Sequence, residues 1–382
     1  MMKEKAMTLW SEINLSAINR NIQTIRKLIN INTKIMGVVK FDAYGHGAVE
    51  IGKSLVKNGI DALGVASTEE GIELRKAGIE APILIMNMSL PDTAMEIIQY
   101  DLTPMVCSLN FVNELDTCSQ KAQKKLGIHI RVDISDSNIG VKPEDFERFL
   151  KKVEKKKNLF VTGLFTHLIS AYVGDIKVLV EEIKRFKQLL SFFNKESSDT
   201  MLVHALSSPG IFRFPEADFS MMRIGTSLFG LPSYKNQDMK DLEPVMQLKT
   251  RIIDICINGT QRHMEYTGVT ELKENVRTGL IPVGYGYAPA FLFMKNGKVL
   301  VNGVKVSVLG RAFMGHMIID ITQLPDVKIG DEVVIFGRQQ DQFITVEEVA
   351  EKCGIDVEKC ESICMMDRRI KHVYMEESRG ET

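Results

Sequence analysis

Net charge is nearly absent from this chain: 48 Lys and Arg stand against 49 Asp and Glu, leaving −1 over 382 residues. Such a balance gives no bulk attraction to nucleic acid or to an anionic membrane, so neither is expected as a partner. The lysines at 151–157 alternate with Glu and read as a solvated helix face. Long apolar runs are missing too, and none approaches the roughly 20 residues of a membrane span. The opening segment, MMKEKAMTLWSEINL, lacks the apolar core and cleavage site of a secretory signal, which makes a cytoplasmic location the expectation. Cysteine is sparse. Cys107, Cys118, Cys256, Cys353, Cys360 and Cys364 are scattered without a CxxC pair, so neither a disulfide framework nor a metal site is expected. No Gly-x-Gly-x-x-Gly follows the first apolar strand, which weighs against a dinucleotide-binding sheet.

What is present is an ordinary globular composition, 45% hydrophobic and 25% charged, on a chain long enough for one large domain and a smaller one. From about residue 34 to 225, short apolar runs alternate with amphipathic stretches. KIMGVVK (34–40) reads as a buried parallel strand, and AVEIGKSLVKNG (48–59) as a helix ending at Gly59. ALGVAS (62–67) is the next strand, with TEEGIELRKAG (68–78) the next helix and Thr68 its expected N-cap. PILIM, TPMVC, GIHIRVD, LFVTGLFTH, MLVHA and FSMMRIG continue the strand series, with amphipathic segments between them. Eight such repeats in roughly 200 residues predict an α/β protein of the (β/α)8 TIM-barrel class, with an open doubly wound sheet as the alternative. After about residue 240 the texture becomes strands separated by Gly, Asn and Asp, with hairpin signals at KNGK and VNGV. The expected division is a barrel over 1–240 and a C-terminal, mainly β domain over 241–382. The alternating segment LWSEINL (9–15) is expected to pair with that second domain.

The segment VVKFDAYGHG (38–47) carries the first chemical signal. Lys40 closes the first barrel strand, at the face where barrel active sites assemble. Burying an ammonium there costs several kcal/mol unless it is paired or neutral, and a Schiff base would remove the charge. A lysine reaching solvent from a strand end is the plain alternative. The whole string, however, resembles the pyridoxal 5'-phosphate attachment signature of bacterial alanine racemases, a lysine followed by Ala-Tyr-Gly-His-Gly. Phe41-Asp42 stands where that family has Ala-Asn or Ala-Asp.

The resemblance extends from about Leu9 to Tyr374. It implies Tyr44 as a phosphate-binding tyrosine. THL (166–168) matches the strand bearing the family's histidine, here His167, and HALSSPGIFRFP (204–215) supplies a phosphate serine, Ser208. In MMRIGTSLFG (221–230), Arg223 would meet the pyridine nitrogen while Gly225 and Thr226 offer N–H groups to phosphate. IPVGYGYAPA (281–290) places Tyr285 at the substrate pocket, and VSVLGRAFMGHMIID (306–320) places Met314 there. Tyr266 lies where the family has its second catalytic base, opposite Lys40. Racemisation needs a proton donor on each face, and a tyrosine needs cationic or hydrogen-bonding neighbours to serve near neutrality. In the family, His167 linked to Arg223 provides this. Because an arginine keeps its proton, the ring nitrogen stays unprotonated, which favours proton exchange over transamination. Tyr266 and Met314 come from a second subunit in the family, so a homodimer with shared sites is implied. Taken one at a time, these residues have ordinary readings: a surface aromatic for Tyr266, a core filler for Met314, a satisfied strand histidine for His167, a helix N-cap for Ser208. It is their order and spacing that carry the match.

Departures cluster where the substrate carboxylate would bind. In RVDISDSNIG (131–140), Arg131 replaces the lysine that the family often carbamylates, and Asn138 replaces the carboxylate-binding arginine. Gly315 replaces an Asp, Ser207 an Asn, and Arg368 aligns with a phosphate-touching tyrosine. Losing the arginine removes a contact worth ~1.5–3 kcal/mol. Either Arg131 replaces the missing cation and alanine remains the substrate, or the roomier pocket takes serine or another small polar amino acid. Two other classes are a non-catalytic cofactor carrier and a decarboxylase. The first lacks a second β domain and a Tyr266 equivalent. The second is suggested only by KCESICMMD (359–367), without the glycine-rich phosphate loop that class requires. The physiological role, whether cell-wall supply, catabolism or resistance, stays open.

Overall fold

A computed structural model describes residues 7–172, 174–193, 200–234, 240–258 and 275–376. The chain folds as two units. One holds the residues up to Arg20, Tyr44–His46 and Phe229 onward; the other holds Asn21–Ala43 and Gly47–Leu228.

The first strand, β1 (Leu9–Asn14), belongs to the former unit, and the next eight form the latter: β2 (Lys34–Val38), β3 (Ala62–Val65), β4 (Ile83–Ile85), β5 (Thr103–Val106), β6 (Leu126–Arg131), β7 (Leu159–Phe165), β8 (Leu202–His204) and β9 (Met221–Ile224). All neighbours are parallel, in the order β8-β7-β6-β5-β4-β3-β2-β9. The ends of this series approach one another. The Arg223 N–H donates to the Leu206 carbonyl (3.1 Å), and the Ser220 hydroxyl accepts from the Val203 N–H (2.7 Å). The result is a nearly closed eight-stranded barrel rather than an open doubly wound sheet. Its strands are continuous apolar runs because helices cover them outside and side chains fill them inside, so Ile35, Leu63, Ile83, Ile128 and Leu164 are fully buried.

Helices follow the strands with conventional starts. Helix Thr68–Lys76 is capped by Ser67, whose hydroxyl accepts from the Glu70 N–H (3.4 Å). The cap is therefore one residue earlier than Thr68, which is already helical and buried. Likewise Ser207, not Ser208, is the residue before helix Ser208–Arg213; Pro209 occupies the first turn, where its missing N–H costs nothing.

The second unit is a ten-stranded sheet built from β1, β10 (Met246–Arg251), β11 (Asp254–Asn258), β12 (Val276–Ile281), β13 (Lys298–Val301), β14 (Val304–Leu309), β15 (Met317–Asp320), β16 (Glu332–Gln339), β17 (Gln342–Ile344) and β18 (Lys371–Met375). β1 lies between β10, antiparallel, and β18, parallel. VNGV forms the β13–β14 turn, with Asn302 and Gly303 at φ 49° and 77°, the sign a tight hairpin turn requires. KNGK does not join two paired strands. It follows a short 3-10 helix, Pro289–Phe293, and leads into β13. Among the described residues no helix is long and apolar enough to cross a membrane.

Candidate active site

The carboxyl ends of the barrel strands gather cations around a polar column. Strand register explains the column. Arg131 on β6, Phe165 on β7 and His204 on β8 lie side by side as Cα partners. One layer below, His129 on β6 neighbours Gly163 on β7, and a Cβ at Gly163 would collide with the His129 imidazole. The missing side chain leaves the imidazole room to reach sideways, and His129 Nδ1 sits 3.0 Å from His204 Nε2. The other ring nitrogen of His204, Nδ1, lies 3.0 Å from an Arg223 terminal nitrogen. An arginine can only donate, so His204 Nδ1 accepts, His204 Nε2 carries the proton, and His129 Nδ1 accepts in turn. Burial pushes His129 down to about 3 and His204 well below its ordinary value, so both are neutral.

Arg223 is enclosed by the barrel, 1% exposed. Its terminal nitrogens donate to the carbonyls of Thr166 (2.9 Å), His204 (3.1 Å) and Ala205 (2.9 Å), and one lies 3.5 Å from His167 Nδ1. Loss of solvation and the neighbouring Arg131 push it down, partly opposed by Tyr172, to about 10, which leaves it charged at neutral pH. Its Nε is buried and has no hydrogen-bond partner among the described residues. His167 is half-buried. Desolvation first, then the positive charges of Arg223, Arg131 and Lys40, push it to about 3. These influences place Lys40, Arg131, His167 and Arg223 in one neighbourhood.

Lys40 itself begins a turn rather than ending a strand. β2 stops at Val38, and the Lys40–Gly45 segment coils the wrong way: Phe41, Asp42, Ala43 and Tyr44 have φ of 52° to 56°, followed by Gly45 at 80°. A left-handed turn of L-residues costs roughly 1–2 kcal/mol per residue and survives only where the surroundings impose it. The Asp42 carboxylate accepts the Ala48 N–H (2.7 Å), and the Ala43 N–H donates to the Val39 carbonyl (2.9 Å). The Lys40 ammonium nitrogen lies 5.7 Å from the Phe41 ring centroid.

Ser208 is 3% exposed, and its hydroxyl accepts from the N–H groups of Gly225 (3.1 Å) and Ser227 (3.5 Å). A hydroxyl beside converging backbone N–H groups, with Thr226 between them, is a fitting cradle for phosphate. Arg131 is 9% exposed, its guanidinium 5.9 Å from the centre of the Phe165 ring; its Nε has no partner among the described residues. Asn138 is exposed at φ 61° on a turn gathered by the buried Asp133 carboxylate. That carboxylate accepts from the N–H groups of Ser137 and Asn138, the Ser137 hydroxyl and the Lys142 ammonium.

The remaining candidates lie in the β-rich unit. Tyr44 is buried against Phe229, ring centroids 5.6 Å apart. Gly45 leaves room for the Cys364 carbonyl, which any Cβ would strike, and the Tyr374 hydroxyl donates to the His46 carbonyl (3.1 Å). Met365 adjoins this same contact, whereas Arg368 is exposed three residues further on. Tyr285 and Met314 are brought together, since the Tyr285 and Gly286 N–H groups donate to the carbonyls of Phe313 (3.0 Å) and Met314 (2.8 Å). Gly315 is open on its Cβ side, with nothing within 4 Å. Tyr266 lies outside the described residues.

Sequence reading alone did not single out Phe165, His129, His204 or Tyr172, whose ring lies 5.5 Å from that of His167. Two histidines on otherwise apolar strands were the available signal.

The residues of the barrel suit pyridoxal 5'-phosphate. Arg223 offers an orphaned, buried N–H to a ring-nitrogen acceptor, Ser208 and Gly225 a phosphate cradle, and Lys40 an amine. The model of the alanine racemase N-terminal domain matches residues 13–233, and that of the C-terminal domain residues 245–374. Alanine racemase of Halothermothrix orenii is 37% identical over 98% of this chain and 98% of its own length. The solved alanine racemase of Clostridium difficile 630 superposes with a TM-score of 0.88 at 30% identity, covering 97% of each chain. The Bacillus anthracis alanine racemase solved with bound L-Ala-P gives a TM-score of 0.87 at 28% identity over 98% of this chain and 96% of its own.

Proposed function

This chain belongs to the alanine racemase family, and from that premise we propose that it interconverts L- and D-alanine with pyridoxal 5'-phosphate, Lys40 and Tyr266 exchanging the α-proton on opposite faces. When bound, the cofactor supplies the electron sink that makes an α-proton removable. The chain supplies the rest. Lys40 holds or releases a proton on its ε-nitrogen, at the barrel mouth beside Arg131 and His167. Arg223, a donor that keeps its own proton, would hold the ring nitrogen and so disfavour competing chemistry there. Tyr44, Ser208, Gly225 and Thr226 would hold the phosphate, as the resemblance implies. Arg131 takes the substrate carboxylate in place of the arginine that Asn138 replaces. Tyr285 and Met314 would shape the substrate pocket, with Gly315 widening it, and Arg368 would contact the phosphate from the place where the family has a tyrosine.

The observation that carries the reading is the buried Arg223 Nε, without a partner among the described residues, in a barrel that also presents Lys40 and the Ser208 cradle. That the relatives bear the name alanine racemase supports alanine over serine and over a non-catalytic carrier. A homodimer, in which a second copy lends Tyr266 and Met314, a cytoplasmic location and the supply of D-alanine to cell-wall precursors follow from the family and are part of the proposal. The purified protein should be yellow and Lys40→Ala colourless, with alanine turned over fastest in a panel of L- and D-amino acids. A wild-type protein that takes up no cofactor would refute the assignment.

A further inference from the structure

The strained turn after Lys40 is held at its entrance by a residue outside it. Glu70 is the third residue of helix Thr68–Lys76. Ser67 caps that helix through the Glu70 N–H, which is half of a reciprocal capping box. The other half is not made. Instead of returning to the cap residue, the Glu70 carboxylate spreads its two oxygens. Oε2 accepts the Ala66 N–H (2.7 Å) and Oε1 accepts the Phe41 N–H (2.7 Å). One carboxylate thus ties the residue beyond β3 to the residue immediately after Lys40. Phe41 is also the first of this turn's four non-glycine residues with positive φ. Farther along, Asp42 and Gly47 secure the exit of the turn through Ala48 N–H to Asp42 Oδ1 (2.7 Å) and Gly47 N–H to the Asp42 carbonyl (2.9 Å). The Phe41 side chain contributes little packing, being 53% exposed, so its backbone must be held by hydrogen bonding.

We propose that Glu70 is a positioning residue for Lys40: by accepting the Phe41 N–H it holds the left-handed turn closed and fixes the direction in which the lysine leaves β2. The inference rests on Lys40 being the cofactor lysine. If the acceptor is removed, the turn relaxes toward an unstrained conformation and the ε-amine leaves its place, while the helix keeps its Ser67 cap.

The test is cofactor uptake by the apoprotein, followed by absorbance, in Glu70→Ala, Ser67→Ala, Glu73→Ala and the double variant Glu70→Ala with Phe41→Gly. Two charge-assisted hydrogen bonds are lost in Glu70→Ala, so its cofactor affinity should fall about tenfold or more. Ser67→Ala weakens only the helix start, and Glu73 is exposed on the same helix, so both should bind as the wild type does. The decisive arm is the double variant. Glycine adopts positive φ without strain, so Phe41→Gly should recover most of the lost affinity. Amide exchange at Phe41 should quicken in Glu70→Ala alone. Failure of wild-type uptake would overturn the cofactor reading itself. Normal wild-type uptake, with Glu70→Ala equal to it, or with Ser67→Ala as impaired as Glu70→Ala, or with no recovery by glycine, would overturn the role of Glu70. Should Glu70→Ala not fold, Glu70→Gln keeps one acceptor and sets an amide against the other N–H, and it is read the same way.

Discussion

Arg131 is a buried guanidinium that lies over the Phe165 ring and whose Nε has no partner among the described residues. Burial lowers its pKa, while Cys107 and Asp133 act the other way, and an arginine in that setting remains charged. A charge so placed is expensive unless an anion arrives, and the substrate carboxylate is the fitting anion. Arg131→Ala should therefore raise KM for L-alanine by about 10- to 100-fold with a smaller change in kcat, since a contact made equally in ground and transition states affects binding alone. An unchanged KM would remove Arg131 from the carboxylate site. Asn138→Arg gives the complementary result. Asn tolerates its φ of 61° better than Arg does, so the variant should not raise alanine turnover; a clear rise would assign the carboxylate to position 138.

The elements were legible in the sequence where local pattern decides them. Apolar runs of parallel-strand length and amphipathic segments marked the eight barrel strands and their helices, and Asn302-Gly303 marked a true hairpin. Pattern failed where a distant residue decides. KNGK has the same dipeptide without a preceding strand to pair. Nothing in Phe41-Asp42-Ala43-Tyr44 favours a left-handed coil; Glu70, 29 residues away, helps impose it. Resemblance named a set of candidate site residues, but the sideways reach of His129 depends on strand register that only the folded barrel supplies. Gly45→Ala tests the end of the turn. At φ 80°, with the Cys364 carbonyl where a Cβ would stand, alanine should cost more than about 2 kcal/mol in denaturant unfolding. A loss below about 0.5 kcal/mol would show that this contact can yield at little cost.

For the molecule as a whole, buried neutral histidines couple folding to pH. In the unfolded chain His129 takes a proton below about 6.5, but in the folded barrel only near 3. Between those values the unfolded state binds more protons, so stability must fall as pH falls. The slope is up to about 1.4 kcal/mol per pH unit for each such histidine. His204, pushed the same way, adds to it. Urea unfolding at pH 6.5, 5.5 and 4.5 should show the slope, and His129→Asn should reduce it by one proton's worth; an identical slope would mean that His129 is charged in the native state. The same column sets a limit on traffic through the barrel. Its first member is a guanidinium with nothing to accept a proton, and each imidazole behind it already has its acceptor nitrogen turned toward the incoming donor. For a proton to pass inward, Arg223 would have to give one up, which a guanidinium does not do near neutral pH, however well the two rings behind it are turned to receive it. The barrel interior is thus wired as an insulator, confining protons lost and regained at the mouth to that mouth.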